Sequence, residues 1–137
     1  MHLEFTVIEN DFVNAGSASS SIKKTLKQLA VNPSIIKRVV VALYEAEVNA
    51  IAHAYGGVIT ADIDADKIIM KVIDKGPGIP DIEWAMQEGN STASPEVRDM
   101  GFGAGMGLPN IKKNVDRLNV SSTVGVGTTV EMEVNLG

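Results

Sequence analysis

Gly101-Phe102-Gly103-Ala104-Gly105-Met106-Gly107-Leu108 places glycines at alternate positions and opens into a helical segment expected from about Leu108 to Leu118. Without a Cβ the main chain of such a loop approaches a ligand closely. Its N–H groups, followed by a helix N-terminus, form an anion site suited to a polyphosphate. The stretch is not a P-loop, because no Gly-Lys-Ser/Thr follows, and it does not leave a strand as Gly-x-Gly-x-x-Gly. A flexible hinge is the plainer reading of the same glycines and is compatible with the first.

Upstream, from Glu88 to Gly107, periodicity is lost and glycine, serine and threonine accumulate. A loop of that length inside a compact domain is usually functional, often a lid. Before it, Pro80 to Gln87 has the makings of a short helix. Before that stands Asp74-Lys75-Gly76-Pro77-Gly78-Ile79, directly after an apolar strand expected over Lys67 to Asp74. Glycines at this spacing turn the chain sharply beside a flat ligand, and an aspartate at a strand end can accept a hydrogen bond from an exocyclic amine such as that of adenine. An ordinary strand-ending turn is the alternative.

Further upstream, Asn32-Pro33 signals a helix start, since Asn accepts from free N–H groups and Pro suits the first helical position. The helix should run to about Tyr55, with Gly56-Gly57 as its left-handed exit. Val39, Leu43, Ala46 and Ala50 form its buried stripe. Glu45 and Asn49 are four residues apart, hence on one face, at the border of that stripe. The amide oxygen of Asn49 is a hard ligand able to hold Mg²⁺, and the Glu45 carboxylate can take a proton from a hydroxyl or water. Such a pair by itself is more often a solvated polar edge. Glu47 is the rival carboxylate, but it faces away from Asn49. At the other end, Gly127-Thr128 opens the last strand; a hydroxyl there can support a water network under a base, although a Gly-Thr strand start is common.

The remaining elements follow from pattern. Leu3 to Glu9 alternates as a strand, and Asn14 to Ser21 is expected to be a loop feeding a helix marked by Ile22, Leu26 and Leu29-Ala30. Val58 to Asp64 is a strand joined to the next by a tight turn near Ala65-Asp66, and Val120 to Val124 and Thr128 to Leu136 close the chain. Paired strands interleaved with helices predict a mixed sheet with helices on one face, not a strict β-α-β alternation. The 137 residues, 45% hydrophobic, suffice for a single core, so 1–137 is expected to be one domain. The absence of cysteine fits a reducing compartment. A net charge of -5 argues against nucleic acid as partner. Met1-His2-Leu3-Glu4-Phe5 lacks a basic n-region followed by an apolar run, and no stretch reaches membrane-spanning length, so a cytoplasmic chain with no membrane partner is expected.

Taken in order, Glu45-x-x-x-Asn49, Asp74-x-Gly76-x-Gly78, Gly103-x-Gly105-x-Gly107 and Gly127-Thr128 resemble the N, G1, G2 and G3 boxes of the GHKL ATPases. The resemblance runs from about Ile35 to Leu136. It implies the Bergerat fold: an α/β (α+β) two-layer sandwich, its sheet mixed but mostly antiparallel, with helices on one face and ATP beneath a long lid. By that resemblance Asn49 coordinates Mg²⁺, Asp74 reads the adenine amine, and Gly76, Gly78 and Ile79 shape the base pocket. Gly103, Gly105, Met106, Gly107 and Leu108 wrap the phosphates, and Thr128 backs the adenine.

Within the superfamily, Glu45 to His53, the run Asp74 to Ile79, Glu88 to Thr92, and Gly105 to Lys112 resemble the small anti-sigma-factor serine/threonine kinases and the switch kinases of partner-switching pathways. That likeness implies transfer of the ATP γ-phosphoryl to a small STAS-domain antagonist with Glu45 as base. A sigma factor or downstream regulator would be a further partner, and a homodimer a further expectation. The segment Ala93 to Phe102 lengthens the lid, and its Arg98 is either a γ-phosphate contact or a solvated cation. His53 is expected to be packed rather than a phosphoacceptor. A nucleotide-gated binder without turnover and a histidine kinase acting in trans are the alternatives.

Overall fold

The computed structural model describes residues 1–8, 14–53, 57–74, 107–123 and 126–137. Along the chain these form His2–Val7 (β1), Ser17–Gln28 (α1), Pro33–His53 (α2), Gly57–Ile63 (β2), Lys67–Asp74 (β3), Gly107–Asn114 (α3), Arg117–Thr123 (β4) and Gly127–Asn135 (β5). The helix expected at 80–87, most of the lid, and the side chain of His53 lie outside the described residues.

Alternation in the strands creates two layers. Ile59, Ala61 and Ile63 of β2, Ile68, Met70 and Val72 of β3, and Val130, Met132 and Val134 of β5 are all buried, while the residues between them are not. Successive side chains on a strand point to opposite faces, so this period leaves one face apolar. The helices cover that face. Val39, Leu43, Ala46 and Ala50 of α2, the stripe expected from spacing, are buried, and α2 packs on β1, β3 and β5. Each fully buried Val, Leu, Ile or Met side chain here contributes roughly 1.5–3 kcal/mol. The sheet order is β1-β2-β3-β5-β4, with each adjacent pair antiparallel. The expected mixed sheet is therefore, among the described strands, wholly antiparallel.

Two boundaries differ from expectation. Residues 17–21 are not loop but the first turns of α1. Serine is a weak helix former, yet Ala18, Ser19 and Ile22 are buried here, and Glu47 of α2 supplies the cap that the local sequence lacks. The helix expected to reach Leu118 stops at Asn114, and β4 begins at Arg117, with Leu118 opposite Met132 in the ladder. The Asp116 N–H is already bonded to the Glu133 carbonyl at 2.9 Å, so the sheet claims the chain before another helical turn can form.

The start of α2 and the β2–β3 turn behave as the sequence implies, whereas α1 ends at Gln28, short of the Leu29-Ala30 that its spacing marked. The Asn32 side chain accepts from the Ser34 N–H (2.9 Å) and hydroxyl (2.8 Å), which starts α2 with Pro33 at its first position. α1 closes with the N–H of Val31 on the Leu26 carbonyl and that of Ala30 on the Lys27 carbonyl, both 3.1 Å; this double bond pattern puts Ala30 in the left-handed region at φ 57. The β2–β3 turn is pinned by Asp64, whose Oδ1 accepts from the N–H groups of Asp66 (2.8 Å) and Lys67 (2.9 Å). Those two bonds hold its carboxyl below the ordinary value.

Candidate functional site

The long helix α2 carries Glu45 and Asn49 on one face, both half-buried, separated by about 6 Å of helical rise. Two contacts fix how α3 lies against that face. The Nε of Arg38 donates to the Asn114 carbonyl at 3.2 Å, and the Nδ2 of Asn110 approaches Glu45 Oε1 at 3.4 Å. Moving up α2 from Arg38 to Glu45 thus corresponds to moving back along α3 from Asn114 to Asn110. The two helices are antiparallel, and one further turn brings Gly107, the start of α3, level with Asn49. The unpaired N–H groups of a helix start carry partial positive charge and favour anions. Lys112 and Lys113 in the last turn of α3 complement the other end of its dipole.

The lower end of this arrangement is anchored electrostatically. Arg38 Nη2 meets Asp116 Oδ1 at 3.0 Å, and Asp116 Oδ2 accepts from the Asn135 N–H at 2.7 Å. The Asn135 N–H first, and the Arg38 guanidinium second, hold the Asp116 carboxyl below the usual range. One arginine therefore ties α2 to the end of α3 and to both closing strands.

The sheet contributes Asp74 and Thr128. The β3–β5 ladder is registered to Ile73 opposite Thr129. One step beyond, the Thr128 N–H donates to Asp74 Oδ1 at 3.1 Å, so a side chain completes the ladder and the carboxylate is held in orientation. The Thr128 hydroxyl is buried and lies 2.9 Å from the Ser122 hydroxyl. On the other side Gly57 faces Asp74 in the β2–β3 register. A Cβ at Gly57 would stand 2.2 Å from the Ile73 carbonyl oxygen and 2.9 Å from Asp74 Cα. Only glycine permits this approach, and Gly57 thereby sets the position of Asp74.

The two halves meet at one end of the molecule. α2 finishes at His53 and β2 starts at Gly57, which pairs with Asp74. The last turns of α2, with Asn49, thus share the end of the sheet that carries Asp74 and Thr128. The structure brings together Asp74 with Thr128, and Glu45 with α3. Gly76, Gly78, Ile79, Arg98, Gly103, Gly105 and Met106 lie outside the described residues. Leu108 is buried in the core, so what it offers a ligand is its main chain. The donor set suits a magnesium nucleotide: a neutral amide oxygen for a hard cation, N–H groups for an anion, and an oriented carboxylate for an amine.

Sequence reading missed three pairings. Ser122 pairs with Thr128, Asn110 with Glu45, and Glu47 with α1; for the last there was a signal. A helix start of Gly16-Ser17-Ala18-Ser19 without an acidic residue in its first turn has orphan donors that some other element has to satisfy.

Residues 8–134 match the histidine kinase-like ATPase domain. The chain is 37% identical over 145 residues to the anti-sigma F factor of Thermoanaerobacter sp. (strain X514), covering 98% of each. It is 33% identical over 127 residues to the serine/threonine-protein kinase RsbT of Bacillus subtilis (strain 168), covering 90% of this chain and 87% of that one. Among solved structures, one of the RsbU and RsbW domains of a Mycobacterium tuberculosis protein aligns with a TM-score of 0.69 at 19% identity, over 99% of this chain and 32% of that one, a likeness of fold. With nearly the whole length matched and the sheet built as described, this chain belongs to the histidine kinase-like ATPase family, an ATP-binding one.

Proposed function

We infer that this protein is an ATP-dependent serine/threonine kinase and anti-sigma regulator of a partner-switching system. Its protein substrate in this reading is a small STAS-domain antagonist. The carrying observation is the packing of α3 on α2, which sets a helix start level with Asn49 while Glu45, one turn away, stays half-buried and reachable. Relatives named anti-sigma F factor and serine/threonine-protein kinase RsbT support the same class.

In this scheme Asn49 offers its amide oxygen to Mg²⁺, and Asp74, oriented by the Thr128 N–H, receives the adenine amine. Gly76, Gly78 and Ile79 line the base, and Gly103, Gly105, Met106, Gly107 and Leu108 follow the phosphates with their main chain. Bound Mg-ATP supplies the phosphoryl group and the charge that neutralises it in flight. Glu45 accepts the proton of the attacking serine or threonine hydroxyl. No helix among the described residues is long and apolar enough to cross a membrane; we place the protein in the cytoplasm, where its partners would be.

Paired variants test the assignment. Glu45→Gln keeps size and hydrogen bonding but takes no proton. It should bind ATP nearly as wild type while radiolabel transfer to a STAS-domain protein from the same genome falls roughly 10²–10⁴-fold. Asn49→Ala should weaken both binding, measured by calorimetry, and transfer. Wild-type transfer by Glu45→Gln would remove the base. The anti-sigma name of the first relative favours a second reading, a nucleotide-gated binder. Tight ATP-dependent partner binding without any phosphoprotein would select it.

A further inference from the structure

Asn110 has no part in the scheme above, yet its side chain touches Glu45. The 3.4 Å from Nδ2 to Glu45 Oε1 is long for an amide donor, as catalytic hydrogen bonds commonly are before reactants bind. The donor is not a stray surface group. Leu108 and Ile111, buried in the core, fix the rotation of α3 and leave the intervening Asn110 half-buried on the flank facing α2. The Asn110 carbonyl accepts from Asn114 Nδ2 at 2.8 Å, and the Asn114 carbonyl is held by Arg38. α3 is therefore fastened to α2 at Arg38 and meets it again at Glu45, two turns higher.

The geometry points to Asn110 as a positioning residue for Glu45. Its amide steadies Oε1, so the carboxylate turns its other oxygen to the acceptor hydroxyl, and the orientation of the base follows the placement of α3. This rests on Glu45 being the base. A carboxylate on a flexible two-carbon stem samples several rotamers, and one oriented donor selects among them without itself meeting the acceptor. Because α3 also brings its first turn level with Asn49, a shift of α3 would disturb the metal side and the base side together.

Two measurements on the full chain decide the matter. In ¹⁵N spectra of the nucleotide-free protein, the Asn110 side-chain amide pair, identified by its loss in Asn110→Leu, should move in Glu45→Gln; a pair that stays in place overturns the contact and the proposal. The second is a double-variant cycle on single-turnover release of labelled phosphate from Mg-ATP with water as acceptor. Asn110→Ala should slow release about fivefold to tenfold, the factor carried by one hydrogen bond of ordinary net strength, as suits a contact of 3.4 Å, with ATP affinity within about twofold of wild type. Asn110→Asp, similar in shape but presenting oxygen to oxygen, should slow it at least as much. In the Glu45→Gln background, Asn110→Ala should change nothing further, whereas a merely structural role would slow release by the same factor again. That repeated factor, or an Asn110→Ala rate equal to wild type, overturns the positioning role while leaving Glu45 as base. A wild-type rate in Glu45→Gln overturns the base and this inference with it.

Discussion

Glu47→Gln is the substitution whose effect the structure fixes most closely. Glu47 is 3% exposed, and its two oxygens serve three donors at the start of α1. Oε2 accepts from the Ala18 N–H at 3.3 Å, and Oε1 from the Ser19 N–H at 3.3 Å and the Ser19 hydroxyl at 3.0 Å. The residue in the N-cap position is Gly16, left-handed at φ 92 and without a side chain to cap anything. Glu47 therefore caps α1 from another helix. Glutamine keeps one oxygen, so one main-chain N–H comes to face an NH₂ group in a buried site. Losing one charge-assisted bond costs about 1.5–3 kcal/mol, and losing a negative charge at a helix start adds about 0.3–1 kcal/mol. The sum is about 2–4 kcal/mol. At an m-value of roughly 2 kcal/mol/M the urea midpoint should drop by ~1–2 M, followed by circular dichroism. Hydrogen exchange should place the loss, with the Ala18 and Ser19 amides accelerating more than those in the middle of α2. A midpoint within ~0.3 M of wild type would refute the capping role.

Two further substitutions probe the frame of the site. Gly57→Ala should cost about 1–3 kcal/mol by overpacking against main chain; by displacing Asp74 it should also shrink the melting gain from Mg-ATP, worth about 2.7 kcal/mol at 100 times the dissociation constant. Equal gains in both proteins would show that Asp74 does not depend on this approach. Asp116→Asn tests a pH dependence. The folded-state value of this carboxyl is lowered, so its stabilisation is complete above the unfolded value of about 3.9 and fades as pH falls through the folded one. The gap in urea stability between wild type and Asp116→Asn should therefore narrow from pH 7 to pH 3, and a constant gap would refute the Asn135 and Arg38 contacts as its source.

Periodicity made most of the fold legible. The Val39/Leu43/Ala46/Ala50 stripe and the alternation in β2, β3 and β5 translate directly into the two layers, because each pattern leaves one apolar face to bury. Errors fell where non-local contacts override local preference. The serines at 17–21 look like loop until Glu47, 28 residues from Ser19 in sequence, caps them. Leu118 looks like the last helical apolar residue until Met132 is seen opposite it. The residues proposed for the site could be named as boxes in order, since glycine spacing and Glu45-x-x-x-Asn49 are local. The Asp74–Thr128 bond was not, as it depends on β5 being inserted between β3 and β4.

The two carboxylates of Glu45-Ala46-Glu47 show how spacing on one helix sends neighbouring side chains into different surroundings. Two residues on a helix are turned by about 200°, so the neighbouring helices receive one glutamate each. Towards α1, Glu47 meets two main-chain N–H groups and a hydroxyl, which occupy both oxygens and leave it buried. A general base has to come within hydrogen-bond reach of the proton it takes, and a group so enclosed cannot present an oxygen without releasing the start of α1. Towards α3, Glu45 meets one amide at 3.4 Å and stays half-buried. Of the pair, Glu45 is the one that stays within reach of a reactant. With Glu45 as the proposed base, exchanging the two roles would require moving α1 and α3, not the glutamates, so in this scheme the choice of base follows from helix packing.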